Sequence, residues 1–486
     1  MRRILFLVLL LLGPSWMGCH RLVFPDLARQ ASPPRVPPPP SRSLFEKALR
    51  YERTLQENHL TPDGLVAYKA QVPARKEEIE ALDLPDGAAW TGCTLAAEAF
   101  RYAATGEPAA RERVHRLVDA LHRLQEITGV RGLLARTLIH GEIPPAFLKG
   151  HGEWRRGQGP FAGYHWRGDV SNDQYAGVIF GYGIAYDLVA EPVVRERIAQ
   201  DLQALMDHLV DHGMTLVDVD GKVTTHGDMS PRSWEDLDAL LALSFLKTAS
   251  HVTGSPRFQE TYRELIERHH YHRRATQARK KWWEYLLGVN HSDNHLAFLA
   301  YYPLLRLEQD PRLLSEYRRG LERTWSMVRD EGNSFFSFIY LYLSDLMAQR
   351  LEAPPPAPFR ITDCAGATAS PRCQAWREAL VTLQFFPEEK RVVEVRNSRR
   401  RDIRKAWLAD RHGRPQAQRP LPVYQRPVNT FEWKANPYRL DGHPGARGQA
   451  EYAGIDYLLA YWLGRYHGFI GDRGQGTGNR EQGTGW

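Results

Sequence analysis

At 486 residues with 43% hydrophobic and 11% aromatic content, the chain is long for one domain and has ample material for a packed core. The absence of a C-x-x-C pair among its four cysteines excludes a cysteine zinc site. The net charge of +7, with clusters at Arg273-Arg274, Lys280-Lys281 and Arg399–Arg401, would suit nucleic acid in a cytosolic protein. The N-terminus argues against that compartment.

Residues 1–18 read as a signal peptide. Arg2-Arg3 form a positive start, and Ile4–Leu12 is an apolar run too short to span a bilayer. Gly18-Cys19 resembles the lipobox of bacterial lipoproteins, which implies lipidation at Cys19 and a membrane-anchored protein of the cell envelope. Cleavage by the ordinary secretory peptidase, giving a secreted or periplasmic protein, is the alternative. Residues 19–42 are a tether, in which Ser32–Ser41 is proline-rich and extended. Export leaves anionic lipid, cell-wall polymer or acidic polysaccharide as natural partners for the basic clusters and removes nucleic acid.

The segment 43–470 is the folded domain. A helix is predicted over 43–59, then a turn at Asp63-Gly64 and a short strand Leu65–Tyr68. Helices follow over 92–105, 109–128, 174–190, 193–212, 233–252, 257–272, 281–307 and 312–328. Further helical patterns cover 335–351, 374–385 and 452–466. Four joins between them share one pattern, a polar residue before a proline: Glu107-Pro108, Glu191-Pro192, Ser255-Pro256 and Asp310-Pro311. Proline fits the first helical position, where its missing N–H costs nothing, and Gly106 and Gly254 end the preceding helices. Thr215–Thr225 alternates apolar residues around Asp220-Gly221, which predicts a hairpin with a type I′ turn. Ala353–Pro371 is a proline-rich surface connection. Cys364 and Cys373, close in sequence, are expected to pair in an oxidising compartment, leaving Cys93 as a buried thiol. Residues 471–486, Gly-rich and polar, are expected to be a disordered tail.

About a dozen helices in recurring hairpins resemble the six-hairpin (α/α) toroid of many bacterial glycosidases and polysaccharide lyases. The resemblance covers most of 43–468. It implies an all-α (α/α)6 toroid with small β-hairpin insertions in its loops, and a carbohydrate as substrate or ligand. An open helical solenoid is the other fold reading.

Three polar segments enter apolar helices, and carboxylates in such loops can protonate a glycosidic oxygen or activate water. Arg167–Gly177 carries Asp169 and Asp173 at a helix start, where capping by Ser171 or Asn172 is the structural alternative. Thr224–Pro231 carries His226 and Asp228. Asn290–His295 carries Asn294 and His295, with His291 four residues before His295. Rings adjoin these groups: Trp154, Tyr164 and Trp166 before Asp169, Tyr175 after it, and Trp433 further on, with Glu331 a further acid. The hydrolase reading takes Asp173 with Asp169 or Asp228. The lyase or epimerase reading takes His226 as base and Tyr164 or Tyr175 as acid. Neither implies a metal or cofactor. A non-catalytic glycan- or cell-wall-binding lipoprotein, or an envelope scaffold, is the alternative from another class.

Overall fold

A computed structural model describes residues 42–71, 82–83, 86–143, 152–279, 289–364 and 370–471. The signal peptide, nearly all of the tether and the tail after residue 471 lie outside the described residues.

Two kinds of helix alternate along the chain. One kind is buried on every side: α2 (Gly87–Thr105), α4 (Asn172–Leu188), α6 (Asp236–Thr253), α9 (His291–Leu307), α11 (Ser334–Leu351) and α13 (Ile455–Tyr466). In α4 every residue from Gln174 to Ala185 is buried. The other kind is buried on one face: α1 (Leu44–Asn58), α3 (Pro108–Glu126), α5 (Pro192–Asp211), α7 (Pro256–Glu267), α10 (Pro311–Val328) and α12 (Pro371–Gln384). In α10 the buried set is Leu314, Tyr317, Gly320, Leu321, Thr324, Trp325 and Val328, a stripe at helical spacing.

Contacts sort the two kinds into layers. Each all-buried helix packs on the next, and α13 packs back on α2, so six helices close a ring. The one-sided helices pack outside it, and α1 closes the sixth hairpin by docking on α13. The protein is therefore a six-hairpin (α/α) toroid, and closure rules out the solenoid. Among the described residues no helix is long and apolar enough to cross a membrane.

The predicted joins have a common geometry. Pro108, Pro192, Pro256 and Pro311 each begin an outer helix, and Pro371 adds a fifth case. Asp310 caps α10 through its side chain, accepting from the Arg312 N–H at 2.8 Å, whereas the side chains of Glu107, Glu191 and Ser255 make no capping bond. Gly106 and Gly254 end α2 and α6 in the left-handed region, at φ 70° and 68°.

Some boundaries differ from the sequence reading. Helix α2 starts at Gly87 rather than 92. The predicted helix 257–272 is two, α7 and α8 (Tyr271–Ala275), because His270 takes φ 55° between them. The expected strand at 65–68 is only a bridge between Leu60 and Val66, and the strand β1 is Lys69–Gln71. β1 joins β2 (Leu82–Asp83), β9 (Asp441–Tyr452) and β8 (Arg391–Arg396) in an antiparallel sheet of order β2-β1-β9-β8. A second sheet has order β3-β5-β4, from Thr137–His140, Tyr164–Arg167 and Trp154–Arg156. The hairpin of β6 (Thr215–Val217) and β7 (Val223–Asp228) forms around Asp220-Gly221. Its Asp218 N–H donates to Lys222 O at 2.9 Å, and in the turn only Gly221 has positive φ. A type I′ turn needs two such residues, so this is the three-residue loop with a glycine bulge. Cys364 and Cys373 form a disulfide, and Cys93 is a buried free thiol.

Candidate active site

The starts of the inner helices converge at one end of the ring. There a narrow cleft of about 410 Å³, its solvent mouth included, is lined by Asp86, Trp90 and Cys93 of the α2 entry, Asp173 and Gly177 of α4, Ser292 and His295 of α9, and Lys434.

Two carboxylates face this space from different settings. Asp86 immediately precedes α2, and its Oδ1 accepts from Arg136 Nη2 at 2.7 Å and from Gln174 Nε2 at 2.8 Å. Arg136 is mostly buried and spans the entry loops, donating also to the Asp169 carbonyl at 2.7 Å. Asp173 lies in the first turn of α4, where the helix dipole favours an acid. It accepts a hydrogen bond from the Ser171 hydroxyl. Gln174 follows Asp173 and reaches Asp86, so one residue links the two acids.

The rest of the lining is aromatic and basic. Trp90 stacks on Phe431 at 5.3 Å, and Lys434 sits over the indole at 4.6 Å. His295 packs against Phe431 at 4.6 Å. Burial, with the Lys434 charge adding, pushes its imidazole down to about 3, so the ring is neutral. Burial pushes the Cys93 thiol up to about 12.

The other residues singled out in the sequence do not line this cleft. Asp169, at φ 55°, clips the α4 entry to the β6–β7 hairpin. Its carboxylate accepts from Thr225 N at 2.8 Å and Thr225 Oγ1 at 3.0 Å, and its own N–H donates to Asp218 Oδ2 at 2.8 Å. His226 and Asp228 lie exposed on β7, where Asp228 Oδ1 accepts from Ser230 N at 2.9 Å. Tyr175 is buried in the core with its hydroxyl donated to Gly132 O at 2.9 Å. Tyr164 donates to Asp63 Oδ1 at 3.0 Å and accepts from Arg123 at 2.9 Å. Trp154 and Trp166 stand on β4 and β5 beneath Arg167 and Arg155. Trp433 is buried, its Nε1 donated to Asp456 O at 2.8 Å.

Asn294 and Glu331 belong to the frame behind the cleft. Buried Arg279 ties down the start of α9, donating to Asn294 Oδ1 at 2.7 Å, Asp293 Oδ2 at 3.0 Å and Asn290 O at 3.3 Å. Glu331 lies 3.9 Å from His291 Nδ1, and burial pushes its carboxyl up to about 8 despite Arg426 nearby. Burial and the surrounding arginines push His291 down to about 3. Burial thus favours the neutral form of both groups. Among the described residues no three His, Cys, Asp or Glu side chains cluster as a metal site.

Asp86, Trp90 and Lys434 were not among the sequence candidates. A signal for the first existed: an aspartate one residue before a Gly-Ala-Ala-Trp helix start.

No family model matches the chain, and no curated protein matches it. Several solved structures follow a similar chain course. A family 76 glycoside hydrolase (mannosidase) from Bacteroides thetaiotaomicron VPI-5482 is 10% identical with a TM-score of 0.43, covering 86% of this chain and 97% of that one. An unsaturated glucuronyl hydrolase specific for heparin is 9% identical with a TM-score of 0.43, covering 87% and 95%. A cellobiose 2-epimerase from Spirochaeta thermophila DSM 6192 is 12% identical with a TM-score of 0.40, covering 87% and 97%.

Proposed function

We propose that this protein is a carbohydrate-active enzyme that hydrolyses a glycosidic bond in the cleft at the ring's end. The observation that carries the reading is that Asp86 and Asp173 line one cleft, from different hydrogen-bonding environments, together with the Trp90 indole. Glycoside hydrolysis needs two carboxyl groups with unlike roles, and an indole face suits the C–H face of a sugar. Asp86, fixed through Oδ1 by Arg136 and Gln174, is the acceptor that orients water or steadies developing positive charge. Asp173, held by one hydroxyl, is the group placed to exchange a proton with the glycosidic oxygen.

A second reading has its own observation. His295 lies in the same cleft, and an imidazole there can remove a proton from a sugar carbon, the chemistry of elimination or epimerisation. The purified protein is therefore assayed on neutral and acidic glycans, following reducing ends, ultraviolet absorbance and epimeric products together. Reducing ends without absorbance mean hydrolysis, and with absorbance elimination. Asp173→Asn is expected to lower kcat by about 10²–10⁴-fold in the hydrolytic case. Full activity in that variant refutes the assignment of Asp173. Glycan binding without turnover would leave a binding protein.

The protein is further proposed to act outside the cytoplasm, held to a membrane by lipid on Cys19. The Arg2–Cys19 segment and the proline-rich tether support this, as does the Cys364–Cys373 disulfide, which belongs in an oxidising compartment. Loss of acyl labelling in Cys19→Ser is the expected outcome, and labelling that survives it overturns the anchor.

A further inference from the structure

The cleft offers hydrogen-bond donors that its own residues leave unused. Lys434 Nζ makes neither a hydrogen bond nor an ion pair among the described residues and rests only on the face of Trp90. Trp90 Nε1 and His295 Nε2 are both buried without a hydrogen-bond partner among the described residues. An indole nitrogen and an ammonium can only donate, and a neutral imidazole donates from one of its nitrogens. A buried donor left unpaired costs about 1–3 kcal/mol, so the Trp90 indole N–H calls for an acceptor from outside the described residues, and the half-buried Lys434 ammonium over the same ring can meet that group too.

Lys434 is also no loose surface lysine. The turn that presents it is bolted to the frame on each side. Glu432 N donates to Asp456 Oδ2 at 2.6 Å, Trp433 Nε1 to Asp456 O at 2.8 Å, Asn333 Nδ2 to Trp433 O at 3.1 Å, and Lys434 N to Phe431 O at 3.2 Å. A lysine presented by so fixed a turn, forming no ion pair of its own although Asp86 and Asp173 line the same cleft, is placed for an anion, since charge-assisted bonds are about twice as strong as neutral ones. The carboxylates Asp86 and Asp173, by contrast, offer acceptors suited to hydroxyl groups.

We infer that the sugar bound here is anionic, its acidic substituent seated on Lys434 beside Trp90 and His295 while its hydroxyls meet Asp86 and Asp173. The inference rests on the carbohydrate reading of the cleft and specifies its substrate class. Carboxylate and sulfate share the chemistry required, so both are probed.

The test is calorimetric titration of the full-length protein with matched oligosaccharides. The uronates are galacturonate, glucuronate, mannuronate and guluronate oligomers, each paired with its neutral hexose counterpart, alongside a sulfated galactose oligomer. At least one acidic ligand is expected to bind at least ~10-fold more tightly than its neutral counterpart, and more weakly as salt rises. Lys434→Met should abolish that preference, and Lys434→Arg, which keeps the charge, should retain most of it. Preference for uronates alone identifies a carboxylate, and for the sulfated oligomer alone a sulfate. Equal affinity for neutral sugars, an acid preference that survives Lys434→Met, or no binding by any acidic sugar while the protein unfolds cooperatively each overturns the inference. Lys434-dependent binding of an acidic sugar that is never turned over would sink the catalytic reading and leave this inference standing. Turnover of neutral glycans without acid preference would do the reverse.

Discussion

Replacing Gly92 by alanine should destabilise the protein, although alanine is the better helix former. Helices α2 and α4 meet backbone to backbone along a seam of glycines. A Cβ on Gly92 would lie 2.3 Å from Gly177 O, 2.5 Å from Gly177 C and 2.7 Å from Val178 N. Ordinary contact begins near 3.4 Å, so the oxygen is about 1.1 Å too close. Gly181 faces Gly92 O at 2.3 Å and Gly177 faces Ala89 O at 2.7 Å, measured from the same built Cβ positions, so the fit repeats along the seam. Backbone atoms cannot rotate away as a side chain would. The helices must part, and overpacking of this kind costs about 3 kcal/mol. The gain in helix propensity returns about 1 kcal/mol, leaving a net loss of about 2 kcal/mol. The assay is urea unfolding, read as a fall in midpoint at unchanged slope. Gly106→Ala is the comparison. Nothing lies within 4 Å of its Cβ, and only its φ of 70° opposes the change, at about 1–2 kcal/mol. A midpoint for Gly92→Ala equal to or above wild type would refute the close-packing argument.

Two further outcomes follow from groups beside the cleft. Glu331, pushed up to about 8, keeps its proton in the folded state while the unfolded chain releases it near 4.5, so stability falls as pH rises between those values. His291, pushed down to about 3, gives the opposite slope up to 6.5, which leaves the glutamate's contribution clearest between pH 6.5 and 8. Glu331→Gln mimics the neutral acid and should gain on wild type by up to ~1.4 kcal/mol per pH unit across that window; parallel stability curves would refute the assignment. Asp169→Ala removes two bonds to Thr225 and puts alanine at φ 55°, and should cost about 2–4 kcal/mol. Asp169→Gly keeps the backbone free and should cost less. Equal losses in thermal unfolding would show that the left-handed backbone contributes nothing.

The fold was legible because punctuation survives in a sequence. The four polar-proline joins between helices each mark an outer helix start, and Gly106 and Gly254 mark ends, since only residues with the right backbone freedom fit there. The sheets were legible only where turn chemistry was strong. Asp220-Gly221 gave away β6–β7, though the turn type differs, while β8 and β9 went unseen. β9 runs Asp441–Tyr452 with Asp441, His443, Arg447, Gln449 and Glu451 among three glycines, and its pairing with β8 is interrupted by register shifts. No period of two can emerge from such a strand.

The site was hidden by the property that makes the ring stable. A helix buried on all sides has no polar face to betray its direction, so periodicity cannot say which residues look into the axis. In α2 the residues from Gly87 to Arg101 are buried without a break, and the two glycines at 87 and 92 read as the edge of a helix rather than its first turns. Moving the start from 92 to 87 is what carries Asp86 and Trp90 to the mouth of the cleft. Asp173 was found because α4 announces its own start with Ser171, Asn172 and Gln174. The same logic explains the aromatic candidates. Tyr175 sits two residues after Asp173, about 200° around the helix at 3.6 residues per turn, so the neighbour of a cleft residue necessarily points into the packing instead. His295, three residues beyond Ser292, and Gly177, four beyond Asp173, are the positions that proximity on a helix brings to the cleft. Adjacency to a carboxylate is thus a poor guide in an all-buried helix, and a spacing of three or four from a residue already in the cleft is a good one.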